Sequence, residues 1–179
     1  MAKITAKQAG NKNIPAFLDM LAFAEGTSTS RYTKDSGYDV VVGGVNSPRV
    51  FTDYSKHPGI LVTVREAVTS PVTGAVTKEA LKSTAAGRYQ TLKRYAEAYT
   101  AMLKLPDFGP LSQDLIAIRQ IREKGALDDI EAGRIVEAIN KVAGLWASLP
   151  GNNYGQRGAH SPQVNDLLNA YTKAGGSLA

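Results

Sequence analysis

The chain has 179 residues, of which 43% are hydrophobic, a formal net charge of +5 and no cysteine. This length allows one sizeable core, so we predict a single domain over residues 1–179. The absence of cysteine excludes disulfides, cysteine nucleophiles and thiolate metal sites. The positive charge predicts an anionic partner, which could be nucleic acid, acidic lipid or a cell-wall polymer. No apolar run approaches the roughly 20 residues that span a bilayer, so we do not expect an integral membrane protein.

Residues 1–12 are polar and lack periodicity, which predicts a loose N-terminal tail. No apolar segment follows their positive charges, so we expect no secretory signal and a cytoplasmic starting point.

An apolar helix pattern over residues 14–26 ends in one carboxylate. The helical spacing of the apolar residues places Glu25 on the buried face, together with the inward positions Ile14, Phe17, Leu18 and Leu21. Partial burial, the negative end of the helix dipole and the absence of basic residues between Lys12 and Arg31 all disfavour the charged form. We therefore predict a protonated, proton-donating Glu25 near neutral pH. The alternative is an ordinary solvent-exposed helix end, which a shift of one residue in register would produce.

Two short β-branched runs follow, at residues 37–44 and 50–54, and predict a small antiparallel sheet. Residues 61–83 show no sustained period, and we predict an extended loop or a poor hairpin there. A long irregular segment is uncommon in a compact domain and often flanks a functional site.

The sequence after residue 83 predicts helices joined by loops. They are expected at about 89–103, 112–125, 127–141, 142–149 and 161–175. Trp146, the only tryptophan, is expected in the core. The glycine-rich loop at 150–160 is either an ordinary surface connection or a mobile wall of a cleft that binds a polar ligand.

The sequence has few of the residues and motifs that several common types of functional site require. With only His57 and His160, a histidine metal centre or a Ser-His-Asp triad is not expected, and no phosphate-binding loop or nucleic-acid motif is present. We therefore expect no cofactor, no metal and no nucleic-acid partner. An acidic helix end beside a sheet rich in Asp, Tyr, Thr and Gly favours a saccharide cleft. The candidates for a second carboxylate are Asp35, Asp39 and Asp53.

Several stretches together resemble the lambda-type phage endolysins, which are lytic transglycosylases of lysozyme fold. The likeness covers about residues 14–176 in order. The matching stretches are residues 16–27 (AFLDMLAFAEGT), 37–44 (GYDVVVGG), 51–58 (FTDYSKHP), 81–90 (LKSTAAGRYQ), 112–114, 120–127 and 139–156, which includes WASLPG.

The resemblance implies an α+β, lysozyme-like fold, mainly helical, with a small antiparallel sheet flanking the substrate cleft. It also implies that Glu25 is the single catalytic acid/base, cutting between N-acetylmuramic acid and N-acetylglucosamine with formation of a 1,6-anhydro sugar. Three alternatives stay open: a hydrolytic muramidase that pairs Glu25 with Asp39 or Asp53, a wall-binding module without turnover, and a nucleic-acid binder.

The resemblance also implies a set of substrate-binding residues. The run Gly87, Arg88, Tyr89 and Gln90 lies where related transglycosylases keep a Gly-x-x-Gln cleft motif. In this family two segments, called the upper and lower lips, border the cleft. Tyr154 and Gln156 correspond to the flexible upper lip, and residues 57–64 correspond to the lower lip. Asp39 would position substrate or serve the fold. Two departures, extra residues at 45–50 and an inserted loop at 64–82, put the geometry of the lower lip in doubt.

The resemblance further implies a monomer that binds peptidoglycan glycan strands. It would accumulate in the host cytoplasm before lysis and then act in the periplasm on the cell wall, which it would reach through a separate holin.

Overall fold

The computed structural model describes residues 2–152 and 161–179, which form seven helices and four short strands. In chain order these are α1 (Ala6–Ala9), α2 (Asn13–Ala24), β1 (Val62–Arg65), β2 (Val68–Thr69), β3 (Val76–Lys78), β4 (Leu81–Ser83), α3 (Lys93–Leu103), α4 (Pro110–Glu123), α5 (Leu127–Glu131), α6 (Ile135–Val142) and α7 (Val164–Lys173). The predicted α+β class, mainly helical with small antiparallel pairing, is confirmed.

The centre of the larger core is α2. The four positions predicted to face inward are all at most 2% exposed: Ile14, Phe17, Leu18 and Leu21. Burial of each such side chain contributes about 1.5–3 kcal/mol to the hydrophobic driving force. The helix packs against α1, α4, α5 and α7. It is held on several sides, so its C-terminal end is a rigid place for a functional group.

The N-terminal segment is ordered, so the prediction of a loose tail is wrong. Thr5 and Gln8 form a reciprocal capping box at the start of α1. Ile4 is 4% exposed, and its backbone N–H donates to the Asp114 carboxylate at 2.7 Å. Lys3 also forms an ion pair with Asp19 at 3.0 Å. One buried residue and a few long-range polar contacts hold the segment, and none of them leaves a periodic pattern in the sequence.

The antiparallel pairing lies mainly in the segment that was expected to be irregular. Strands β1 and β4 pair with each other, as do β2 and β3, and together they form a hairpin within residues 62–83. The two predicted strands are instead joined by isolated bridges, such as Val40 with Val50. Most hairpin side chains are exposed on both faces, and β3 is exposed throughout. The hairpin therefore lacks the apolar alternation that identifies a half-buried strand.

The helices of the C-terminal half differ from prediction in their boundaries. The expected helix over 127–141 is divided into α5 and α6, and residues 143–149 contain turns instead of a further helix. The division falls at Gly133, whose φ is +77° and where a Cβ would lie 2.5 Å from the Ser177 carbonyl oxygen. The C-terminal segment therefore packs directly on this break.

A smaller hydrophobic cluster lies beside the first. It contains Val41, Phe51, Val62, Ala86, Ala96, Phe108 and Ile116, which come from the bridged segments, β1, α3, the loop before α4 and α4 itself. In the described ranges, no helix is both long and apolar enough to cross a bilayer.

Candidate active site

Glu25 lies at the C-terminal end of α2, where the helix is stopped by a glycine. Its backbone N–H donates to the Leu21 carbonyl at 2.9 Å, and Gly26 then takes a φ of +70°. A left-handed residue after the last turn is the common way for a helix to end. Because α2 is buried and its end is fixed, the carboxyl group of Glu25 has a defined position.

The surroundings of Glu25 favour its neutral form. Burial raises the pKa of Glu25 from 4.5 to about 7, and a hydrogen bond from the Ser148 hydroxyl to Oε1 opposes this rise. Near neutral pH the protonated form of Glu25 is therefore populated. The predicted raised pKa is confirmed, and its main cause is the loss of hydration.

A cleft of about 450 Å³ opens beside Glu25. Its walls come from the hairpin, the 85–95 region and the turn after α6. They include Val64, Leu81, Lys82, Ser83, Gln90, Leu92, Arg94, Tyr95, Leu145 and Trp146. Glu25 also borders a second depression, on the side of Gly26, Thr29, Ser161 and Pro162. Glu25 therefore lies between two depressions, an arrangement that suits a ligand longer than one ring.

A tight turn at residues 87–90 brings Gln90 to the cleft. Gly87 has a φ of +82°, and a Cβ there would lie 2.3 Å from the Gln113 side-chain oxygen. Gln90 also has a positive φ, and its side chain donates to the Gly87 carbonyl at 3.0 Å. Thr27 donates to the Arg88 carbonyl at 2.6 Å, so the loop after Glu25 is tied directly to this turn.

The chain matches a family model described as Endolysin over residues 15–178. It is 50% identical to the endolysin of Escherichia phage P2 over 93% of this chain and 94% of that protein. It is 45% identical to the endolysin of Escherichia phage lambda over 94% of each chain.

The chain belongs to the endolysin family.

Two solved structures of the lysozyme from bacteriophage lambda agree with this assignment. One is a complex with a chitohexasaccharide, and the TM-scores are 0.79 and 0.76 at 44% identity over the full length of each chain. The predicted lysozyme-like fold is therefore confirmed. As an endolysin, the protein is a phage enzyme that degrades peptidoglycan.

The endolysin fold places some of the predicted substrate-binding side chains away from the cleft, which corrects those predictions. Arg88 is 4% exposed and forms an ion pair with Asp19 at 2.6 Å, and its guanidinium lies over Tyr38. Tyr89 is 2% exposed and donates to Asp114 at 2.6 Å. The side chains of Arg88 and Tyr89 thus serve the fold. Within the turn at 87–90, only Gln90 lines the cleft with Glu25.

The candidate second carboxylates are likewise engaged elsewhere. Asp39 is 4% exposed and accepts hydrogen bonds from the Thr33 hydroxyl and the Lys34 N–H. Asp35 accepts from the Tyr54 hydroxyl at 2.8 Å, and Asp53 is exposed and accepts from the Ser55 N–H. None of the three lines either surface beside Glu25.

The predicted upper-lip residues Tyr154 and Gln156 lie outside the described residues. In the lower lip, His57 is 6% exposed and bridges two backbone groups: Nδ1 accepts from the Gly59 N–H at 3.0 Å, and Nε2 lies 2.9 Å from the Thr91 carbonyl. Because a carbonyl only accepts, Nε2 carries the proton. Burial lowers the pKa of His57, which agrees with a neutral, structural histidine.

Sequence reasoning missed Ser148 as a partner of Glu25, since the two are separated by 123 positions. The sequence analysis also predicted a core position for Trp146 and no role in the cleft. Trp146 is 5% exposed and donates to the Tyr89 carbonyl at 3.1 Å, yet it forms part of the cleft wall. The glycine-rich run that follows was the available signal, because aromatic residues next to binding loops often serve both packing and stacking.

Proposed function

We propose that this endolysin is a lytic transglycosylase that uses Glu25 as its single acid/base. The observation that carries the proposal is the isolation of this carboxyl group. Among the described residues, Glu25 is the only acidic side chain on the two surfaces that flank it. Its pKa of about 7 suits a group that must give and then take a proton near neutral pH.

The reaction needs one proton donor and no external nucleophile. Protonated Glu25 donates to the glycosidic oxygen between N-acetylmuramic acid and N-acetylglucosamine, and the bond from that oxygen to C1 breaks. The resulting carboxylate takes the proton from the muramic C6 hydroxyl as that oxygen bonds to C1. The products are a 1,6-anhydro end and a free 4-hydroxyl, and Glu25 is protonated again.

The competing function is a hydrolytic muramidase, which would use Glu25 with Asp39 or Asp53. Retaining and inverting glycosidases hold two carboxyl groups about 5–10 Å apart on opposite sides of the scissile bond. The hydrogen bonds of Asp39 serve the loop at residues 33–39, and Asp53 caps a turn. These contacts favour a structural role for both residues and so support the mechanism with one carboxyl group.

The cleft is suited to a glycan strand. Gln90 offers an amide for sugar hydroxyls, and the exposed side chains of Val64, Leu81 and Tyr95 offer apolar surface for the rings. A related lysozyme has been solved with a chitohexasaccharide. We therefore propose that the substrate is the glycan strand of the wall. From the family resemblance we also propose that the enzyme is a monomer, that it is made in the host cytoplasm, and that it reaches the periplasm through a separate holin.

Product analysis tests the chemistry directly. Purified sacculi are digested to completion, and the released fragments are examined by mass spectrometry without a reduction step. We expect anhydro-muramic ends, which are lighter than reducing ends by one water. Incorporation of oxygen from isotopically labelled water into reducing muramic ends would instead identify hydrolysis and overturn the proposal.

A further inference from the structure

Positive charge is concentrated on one side of the Glu25 cleft. Lys82 in β4 and Arg94 in α3 line the cleft together with Glu25. Both also line an adjoining depression, to which Lys93 contributes a third cation and Glu97 an anion. On the opposite side of Glu25, the described residues that form the wall include no lysine or arginine. Within the described ranges, the two sides of the acid therefore differ in charge.

The three cations differ in how far they are already neutralised. Lys93 lies 3.7 Å from Glu97, one turn along α3. The guanidinium carbon of Arg94 lies 4.7 Å from the centroid of the Tyr95 ring, and one of its nitrogens donates to the Tyr95 hydroxyl at 3.2 Å. This contact orients the guanidinium and leaves its other N–H groups for a ligand. Lys82 has no ionic partner in the described ranges.

We propose that Lys82 and Arg94, here called the basic edge, recognise the carboxylates carried by muramic acid. The inference rests on the proposed function, since it concerns the strand bound across Glu25. Glucosamine units are uncharged, whereas each muramic acid carries a lactyl group. That group ends in a free carboxylate in peptide-free strands, or bears a stem peptide with carboxylates of its own. The basic edge thus distinguishes wall glycan from an uncharged chitin-type strand.

The position of Lys82 gives the hairpin at residues 62–83 a function. Strand β4 ends the hairpin, and its residues Leu81, Lys82 and Ser83 all reach the cleft wall. The hairpin therefore does more than lengthen a surface loop. It presents a cation to the substrate beside the apolar side chains of Val64 and Leu81.

The expected size of the effect follows from exposure. Lys82 and Arg94 are exposed, so solvent screens their attraction for a carboxylate. Each contact should contribute about two- to five-fold in affinity, and the two together roughly ten-fold if they act independently. Added salt should weaken this contribution, because the charges are within reach of counterions.

Binding is measured on a Glu25→Gln background, so that no turnover occurs. The ligands are chitohexaose, a peptide-free strand of alternating glucosamine and muramic acid of the same length, and that strand with stem peptides. We expect Lys82→Gln with Arg94→Gln to lower the ratio of affinity for carboxylated strand over chitohexaose by about ten-fold. Lys82→Glu should lower the ratio further than Lys82→Gln.

Matched controls come from the same hairpin and carry the same change in charge. Lys78 in β3 and Arg65 in β1 are exposed and do not line the cleft. Lys78→Gln with Arg65→Gln should leave the affinity ratio unchanged, and circular dichroism of each variant checks the fold. A loss confined to the stem-bearing strand identifies the peptide carboxylates as the ligand, and a loss confined to the peptide-free strand identifies the lactyl carboxylate. A loss on both strands shows that the basic edge binds either carboxylate.

The proposal that the basic edge recognises carboxylates would be overturned by either of two results. One is an unchanged affinity ratio in the Lys82 and Arg94 variants, and the other is an equal loss in the control pair. Neither result depends on whether the products are anhydro or reducing ends. The failure of this inference is thus separable from the failure of the proposed chemistry.

Discussion

A buried acid, Asp114, and a partly buried acid, Glu25, have opposite surroundings in this endolysin. Asp114 is 1% exposed and accepts three hydrogen bonds, from the Ile4 N–H and from the hydroxyls of Tyr38 and Tyr89. Glu25 accepts a side-chain hydrogen bond from Ser148 and opens on a cleft. Burial raises the pKa of both. A raised pKa alone therefore does not identify a catalytic acid. Access from the cleft separates Glu25 from a carboxyl that serves the fold.

The largest expected effect comes from removing the proton of Glu25. Glu25→Gln keeps the size of the side chain and removes its acid function, so the lysis rate should fall by roughly 10²–10⁴-fold. Turbidity loss of a peptidoglycan suspension measures this. Glu137→Gln, an exposed change in α6, serves as the control. Near-normal lysis by Glu25→Gln would exclude the proposed role.

The same substitution should stabilise the fold at high pH. The folded pKa of Glu25 lies above the unfolded value, so the wild type loses stability as pH rises from about 4.5 through 7. Glutamine cannot ionise, and we expect Glu25→Gln to be more stable by about 3 kcal/mol at pH 8. At pH 4 the difference should become small. Urea unfolding at the two pH values checks this sign.

Asp114 should give the reverse result, with a loss of stability and little change in chemistry. Asp114→Asn replaces one acceptor oxygen with a donor that faces buried N–H and hydroxyl groups, which should cost about 2–4 kcal/mol. Asp128→Asn, an exposed change in α5, is the control for urea unfolding. If Asp114→Asn moved the pH dependence of lysis in the folded protein, the separation between the two acids would be wrong.

A smaller effect is expected at Gly87, which joins the cleft turn to the core. Gly87→Ala forces a side chain into a left-handed position and toward Gln113, at an expected cost of about 2–3 kcal/mol. Gly74 in the hairpin has a similar φ of +69°, and a Cβ there would meet no other part of the chain within 4 Å, so Gly74→Ala reports the backbone strain alone. Thermal unfolding of both variants isolates the contact with Gln113. Equal losses would mean that this contact does not hold the turn.

The same contrast explains what the sequence could predict. Glu25 and its raised pKa were predictable because they depend on the local period of α2 and its glycine stop. The partner of Glu25 was not, because Ser148 comes from a distant turn. Within the run at 87–90, sequence could not assign Arg88 to the core and Gln90 to the cleft, since positive φ values at both ends of the turn set those directions. The hairpin was predicted only as an alternative to an extended loop, because its strands bury almost no side chains.

The smallest expected effect is at Ser148, whose hydroxyl keeps the pKa of Glu25 from rising further. Ser148→Ala removes a donor that favours the carboxylate, so the pKa of Glu25 should rise. Since Glu25 must start the reaction protonated, the alkaline limb of kcat/KM should move to higher pH by the same amount. Ser148→Thr keeps a hydroxyl and should restore the wild-type limb. A uniform loss of rate in Ser148→Ala, with no movement of the limb, would show that Ser148 only supports the turn after α6 and does not tune the acid.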